Sequence, residues 1–231
     1  MKRHSLQIGT IPAVLYGEPA ERGYLFLHGQ MGHKEEAESF AQVVCPRGFQ
    51  VLSIDLPGHG ARRDRGEALA PWTAVPDIRA ALDWAERRWK TTGLRANSIG
   101  AYFAMDALQG CPLAKALFIS PVLDMERLIL DMMGWAGVSE AELREKGEIP
   151  TSFGETLSWR YLCYVREHPI AWDIPTEILY AGQDHLTARQ TVDAFVRSHH
   201  ARLTVMENGE HWFHTAEQLA FLDGWVKDAL N

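Results

Sequence analysis

The stretch Leu94-Arg95-Ala96-Asn97-Ser98-Ile99-Gly100-Ala101 carries the reading of this chain. Small residues stand two before and two after Ser98, with a short strand-like run ahead and a helical run behind. That spacing lets the backbone turn sharply enough to leave a serine hydroxyl standing at a sheet edge. Small-x-Ser-x-Gly alone is a common accident. Its weight comes from its company: a His28-Gly29 loop before it, then Asp184 and His211 after it.

Outward from Ser98, strand-like and helix-like segments alternate. Residues 6–10 and 13–16 read as an entry hairpin, and 24–27 as an apolar strand ending at His28-Gly29. Ala37, Phe40, Ala41 and Val44 form a helical stripe, and 49–54 is a second apolar strand ending at Asp55-Leu56-Pro57-Gly58-His59-Gly60. Val75, Ile78, Leu82, Ala85 and Trp89 recur three and four apart and predict a long amphipathic helix. Strands follow at 116–119, 176–182 and 201–206, the last two each leading into helical spacing. Apolar strands alternating with amphipathic helices predict an α/β fold, a mostly parallel sheet covered on both faces.

Between Pro121 and Pro175 the rhythm breaks. No strand is expected there, only helical patches rich in large side chains such as Met132, Trp135, Phe153, Trp159 and Trp172. The segment is too long for a plain connection. We expect residues 1–123 and 173–231 to form the core and 124–172 a small helical cap over the C-terminal sheet edge. The alternative is that these aromatics extend the core beneath ordinary helices.

Composition narrows the function. The chain has 231 residues, 46% hydrophobic and 23% charged, enough for one domain with a sizeable core. A net charge of −7 gives no electrostatic footprint for nucleic acid or an anionic membrane. The run Arg62-Arg63-Asp64-Arg65 reads as a solvated loop. Cys45, Cys111 and Cys163 are few, odd in number and widely spaced; they suit reduced thiols, with Cys45 and Cys163 packed in apolar surroundings. The N-terminus lacks a signal-peptide core and no run is long enough to span a bilayer, so a soluble, cytoplasmic protein is expected. Oligomeric state is not encoded in any pattern here.

In an open α/β sheet, ligands sit beyond the carboxyl ends of the strands. Ser98, Asp184, His211 and Gln30 all fall at such ends. A serine hydroxyl is a poor nucleophile until a neutral imidazole takes its proton, and that imidazole needs a carboxylate to fix its tautomer. The catalytic candidates are therefore Ser98 as nucleophile, His211 as base and then acid, and Asp184 as orienting carboxylate. The backbone N–H groups of Gln30 and Ile99 are the candidates for an oxyanion hole. Met31, Trp135, Trp159 and Trp212 are the candidates for contact with substrate. Asp124 rivals Asp184 for the acid role, while Asp184 would otherwise cap the next helix. His185 and His214 compete with His211, and His28 and His59 read as loop-holding residues. No His-Glu-x-x-His or phosphate-cradling glycine loop is present, so neither metal nor cofactor is expected.

His28-Gly29-Gln30-Met31-Gly32-His33-Lys34, Asp55-Leu56-Pro57-Gly58-His59-Gly60, Ala96-Asn97-Ser98-Ile99-Gly100, Ala181-Gly182-Gln183-Asp184 and Gly209-Glu210-His211 together resemble the α/β-hydrolase superfamily along nearly the whole chain. The stretch from His28 to Glu36 further resembles bacterial esterases of the cinnamoyl/feruloyl type. The resemblance implies a serine hydrolase with a small cap and a small-molecule carboxylic ester or thioester as substrate. Peptidases, C–C hydrolases and lyases share the fold, and a catalytically silent binding protein is a further alternative. Two departures stand out. Ala96 replaces the first glycine of the turn, and Asn97 stands where a histidine is frequent. The strand before Ser98 is also unusually polar, with Lys90, Thr91, Thr92 and Arg95.

Overall fold

A computed structural model describes residues 1–230. Strands β1 (Arg3–Ile8) and β2 (Ile11–Tyr16) form the entry hairpin, followed by β3 (Arg22–Leu27), α1 (Ala37–Val44) and β4 (Gln50–Ile54). Then come α2 (Pro71–Glu86), β5 (Thr91–Asn97), α3 (Ile99–Leu108) and β6 (Ala116–Ile119). The segment after β6 carries α4 (Met125–Ala136), α5 (Glu140–Lys146), β7 (Glu148–Pro150), β8 (Thr156–Ser158) and α6 (Trp159–Glu167). The chain closes with β9 (Thr176–Ala181), α7 (Arg189–Ser198), β10 (Ala201–Met206) and α8 (Ala216–Ala229).

Eight strands form one sheet in the order β1-β2-β4-β3-β5-β6-β9-β10. From β4 to β10 every pairing is parallel, and β2 alone is reversed, pairing antiparallel with β1 on one side and β4 on the other. The inner strands are buried on both faces, which is why they read as unbroken apolar runs. One face packs on α2, α3 and α7 through Leu25, Leu27, Ile78, Leu94, Phe103 and Phe195. The other packs on α1 and α8 through Phe26, Phe40, Val44, Leu179 and Trp225. The result is a sheet covered on both sides, with β5 and its turn at the centre.

Two sequence expectations need correction. The segment between β6 and β9 does contain strands: β7 and β8 pair antiparallel, Ile149 opposite Leu157. Each is three residues long and the ribbon includes Pro150 and Gly154, too short for any alternation to show. Arg62 is not a solvated loop residue. It is buried, donating to Glu67 at 2.6 Å, to Asp77 at 2.5 Å and to the Asp55 carbonyl at 3.1 Å. A charge run hides this because pairing partners lie outside it. The three cysteines are unpaired and partly buried, and burial pushes the Cys45 thiol up to about 11.

Candidate active site

The site begins with backbone strain. Ser98 sits at φ 51°, ψ −123° between β5 and α3. Met31 (φ 61°) and Ser120 (φ 42°) are the other non-glycine residues at positive φ among the described residues. All three follow the carboxyl ends of neighbouring strands β3, β5 and β6, so the unfavourable conformations gather at one edge of the sheet. The surroundings hold Ser98 there. Its amide donates to Ile119 O at 3.0 Å, and its carbonyl accepts from Val122 at 3.1 Å and Ala101 at 3.0 Å.

Glycines bring the early loop against this turn. A β-carbon on Gly29 would lie 3.2 Å from Ser98 Cβ, and one on Gly100 would strike the backbone carbonyls of His28 and Leu27. Close approach is therefore built into both partners, and Gln30 follows directly. Neither the Gln30 nor the Ile99 amide donates to a protein group among the described residues. Ile99 opens α3, where free N–H groups and the helix dipole favour negative charge.

Three side chains from separate loops form a hydrogen-bonded line. Ser98 Oγ lies 2.8 Å from His211 Nε2, and His211 Nδ1 lies 2.7 Å from Asp184 Oδ2. A carboxylate only accepts, so Nδ1 carries the ring proton and Nε2 is left to accept from the serine hydroxyl. The Asp184 side chain is fully buried, and its other oxygen accepts from the amides of Leu186 at 2.8 Å and Thr187 at 3.2 Å. These bonds occupy the carboxylate and fix its aim.

The competing residues lie elsewhere. Asp124 caps α4, accepting from the Arg127 amide at 2.9 Å. His214 Nδ1 turns to Trp212 O, and His185 is exposed. His28 is fully buried and burial pushes its imidazole down to about 4. His59 Nδ1 donates to Pro57 O at 2.8 Å. Beside His28, the loop is pinned by Asp55, which is fully buried and accepts from Lys34 N at 2.8 Å, Lys34 Nζ at 2.9 Å and Ala61 N at 3.0 Å. Burial alone would raise the Asp55 carboxyl; those donors outweigh it and hold it below its ordinary value.

Around the mouth, large apolar side chains stay exposed. Met31 and Trp212 are each 76% exposed and adjoin Gln30 and His211 in sequence. A groove of about 450 Å³ beside His211 is lined by Gln183, Leu186, Trp212 and His214. Trp135 meets Phe153 edge-on at 6.1 Å, and the same ribbon turn reaches the early loop, where Gln30 Nε2 donates to Glu155 Oε1 at 3.0 Å. No pattern in the sequence pointed to Glu155. Trp159 opens α6 half-buried against the core, so it is not among the exposed rim side chains. Among the described residues no helix is long and apolar enough to cross a membrane, and no three His, Cys, Asp or Glu side chains cluster as metal ligands.

The eight-stranded order, the helices on both faces and the serine turn at the end of β5 define an α/β-hydrolase. The family described as "Serine aminopeptidase, S33" matches residues 19–147, over half of the chain, and the protein belongs to that hydrolase family. Solved structures share the fold at low identity. Est1E from Butyrivibrio proteoclasticus with ferulic acid bound is 17% identical with a TM-score of 0.75, covering 98% of this chain and 97% of that one. Alpha/beta hydrolase domain-containing protein 10 from mouse is 14% identical with a TM-score of 0.78, covering 100% and 98%. A soluble variant of monoglyceride lipase from Saccharomyces cerevisiae is 11% identical with a TM-score of 0.69, covering 99% and 94%. No curated protein matches the sequence.

Proposed function

We propose that the protein is a serine hydrolase that cleaves a small carboxylic ester or thioester through an acyl-Ser98 intermediate. The observation that supports this best is the continuous line from Ser98 Oγ through His211 to the buried Asp184 carboxylate, at 2.8 and 2.7 Å. Ser98 Oγ adds to the substrate carbonyl carbon while its proton passes to His211 Nε2. The carbonyl electrons move onto oxygen, which the free amides of Gln30 and Ile99 receive. Collapse breaks the bond to the alcohol or thiol, which leaves with the proton from His211. Water then repeats the sequence on the acyl-enzyme, His211 taking its proton and returning it to Ser98.

In this reading residues 124–172 act as a cap, and Met31, Trp135 and Trp212 offer apolar surface to the acyl or aryl part of the substrate. Trp159 supports the cap from its half-buried place rather than at the rim. The chemistry of this reading requires no cofactor.

The family match also favours a second reading, cleavage of an aminoacyl amide by the same serine. A fluorophosphonate probe tests the serine itself: the wild type should label and Ser98→Ala should not. Labelling that survives Ser98→Ala removes Ser98 as the nucleophile. Hydrolysis rates on aryl esters, short-chain esters, thioesters and aminoacyl p-nitroanilides then decide between the two bonds. A preference for the anilides by more than tenfold in kcat/KM would replace the esterase reading with the peptidase one.

A further inference from the structure

The polar strand before Ser98 has a physical use. Side chains of β5 alternate between the faces of the sheet, so Arg95 and Asn97 share the face covered by α1. Arg95 is only 4% exposed. Its guanidinium lies 5.5 Å from the Phe26 ring centre and 5.8 Å from that of Phe40. Nη1 donates to Ala96 O at 3.2 Å and to the side-chain oxygen of Asn97, while Nε has no partner among the described residues.

No carboxylate pairs with Arg95 among the described residues. Glu36, at the start of α1, is the acid whose charge it senses. Glu36 in turn faces the early loop: its Oε1 is 2.7 Å from where a β-carbon on Gly32 would stand. Asn97 reaches the same loop at Gly29. Its carbonyl oxygen and Cβ lie 3.5 and 3.8 Å from where a Gly29 β-carbon would be. Asn97 and Glu36 therefore both border the turn that offers the Gln30 amide, and Arg95 donates to the first and senses the charge of the second.

A core position asks only for apolar volume, which leucine or methionine supplies without desolvating a charge. Burial draws the guanidinium down to about 9, which still leaves it protonated at neutral pH. A fixed positive charge behind amide donors is favourable where negative charge develops, because it needs no rearrangement during the reaction. Building on the serine-hydrolase reading, we infer that Arg95 is a positioning residue: it sets the oxyanion-binding turn through Asn97 and places a permanent positive charge behind it.

The test uses the full-length protein as wild type, Arg95→Met, Arg95→Lys and Asn97→Ala, each checked for a cooperative thermal melt. Turnover of p-nitrophenyl acetate gives kcat and KM. A phenyl trifluoromethyl ketone, which adds to serine and carries an oxyanion, gives the affinity for a transition-state mimic. Arg95→Met should lower kcat roughly tenfold, less than the ~10²–10³ lost with a direct oxyanion donor, and leave KM within about twofold. Ketone affinity should fall by the same factor as kcat, and Arg95→Lys should recover part of both.

Asn97→Ala keeps the guanidinium but cuts its link and should show the same pattern more weakly. It carries the test if Arg95→Met does not fold. Unchanged kcat, a lowered kcat with undiminished ketone affinity, or Arg95→Lys no better than Arg95→Met each overturns the inference. A wild type that neither labels with fluorophosphonate nor hydrolyses esters overturns the hydrolase reading and this one with it. An active wild type matched by its variants overturns this one alone.

Discussion

The Leu56 amide donates to His28 Nε2 at 3.1 Å, tying the loop after β4 to the loop after β3. Nε2 accepts only if the ring proton sits on Nδ1, which donates to Gly29 O at 2.8 Å. A single neutral imidazole therefore braces both the Asp55 loop and the turn that precedes Gln30. A protonated ring would lose the Leu56 bond and bury a charge.

Stability should accordingly depend on pH through His28. Its pKa falls from an ordinary 6.5 to about 4 on folding, chiefly through burial. Between those values the unfolded chain binds the extra proton, so stability declines as pH drops through 6.5 and the loss is complete below about 4. The size of this contribution is up to about 3 kcal/mol. Urea denaturation from pH 7 to 4 should show a steeper fall for the wild type than for His28→Gln. Parallel profiles would remove His28 as the cause.

Asp184 and Asp124 should separate cleanly in kinetics. Asp184→Asn keeps the volume but offers Nδ1 an amide that no longer fixes the imidazole tautomer; kcat should drop by about 10⁴. Asp124→Asn alters a helix cap, and asparagine caps nearly as well, so its kcat should stay within about twofold of wild type. Steady-state rates on one activated ester suffice. A greater loss at Asp124 would reverse the assignment.

The Asp55–Lys34 pair is predicted to be a stability determinant that also governs activity. Asp55→Asn leaves the Lys34 ammonium, whose side chain is only 12% exposed, with Glu35 at 3.1 Å as its remaining anionic partner. Losing a charge-assisted hydrogen bond of this kind costs about 1.5–3 kcal/mol, and the loop from His33 to Glu36 is held less tightly. The denaturation midpoint and kcat should fall together, and the double change Asp55→Asn with Lys34→Met should cost less than the sum of the single changes. Strict additivity would show that the two groups do not act as a unit.

What the sequence revealed follows from which interactions are local. Buried strands such as β4 announced themselves because every residue from Gln50 to Ile54 is buried. The strand–turn–helix at Ser98 was visible because its steric demands fall on immediate neighbours, Ala96 and Gly100. Hidden features depend on residues distant in sequence. Arg62 sits in a basic run, yet its partners Glu67, Asp77 and the Asp55 carbonyl all lie outside that run. Arg95 weakened the case for a central strand until Phe26 and Phe40 from other elements came to flank it. The β7–β8 ribbon escaped notice because three-residue strands leave no periodicity, and its link from Glu155 to Gln30 joins residues 125 apart.

Gly100 offers the most direct test of how the serine turn is held. It lies within α3, where alanine is favoured over glycine by about 1 kcal/mol on propensity alone. A surface-like helix position would therefore gain stability from Gly100→Ala. Here the added methyl group would meet the carbonyl oxygens of Leu27, at 3.0 Å, and His28, closer still, and neither backbone group can swing aside as a flexible side chain would. Relief requires α3 to move away from β3, which carries Ser98 and Ile99 away from Gln30. Overpacking of this kind costs about 1–3 kcal/mol, so the net change should be destabilising, and kcat should fall by more than the folded fraction explains. Thermal melts paired with rates at a temperature where both proteins remain folded measure the two effects separately. A more stable Gly100→Ala with undiminished turnover would show that the contact between α3 and the end of β3 is not what holds the turn.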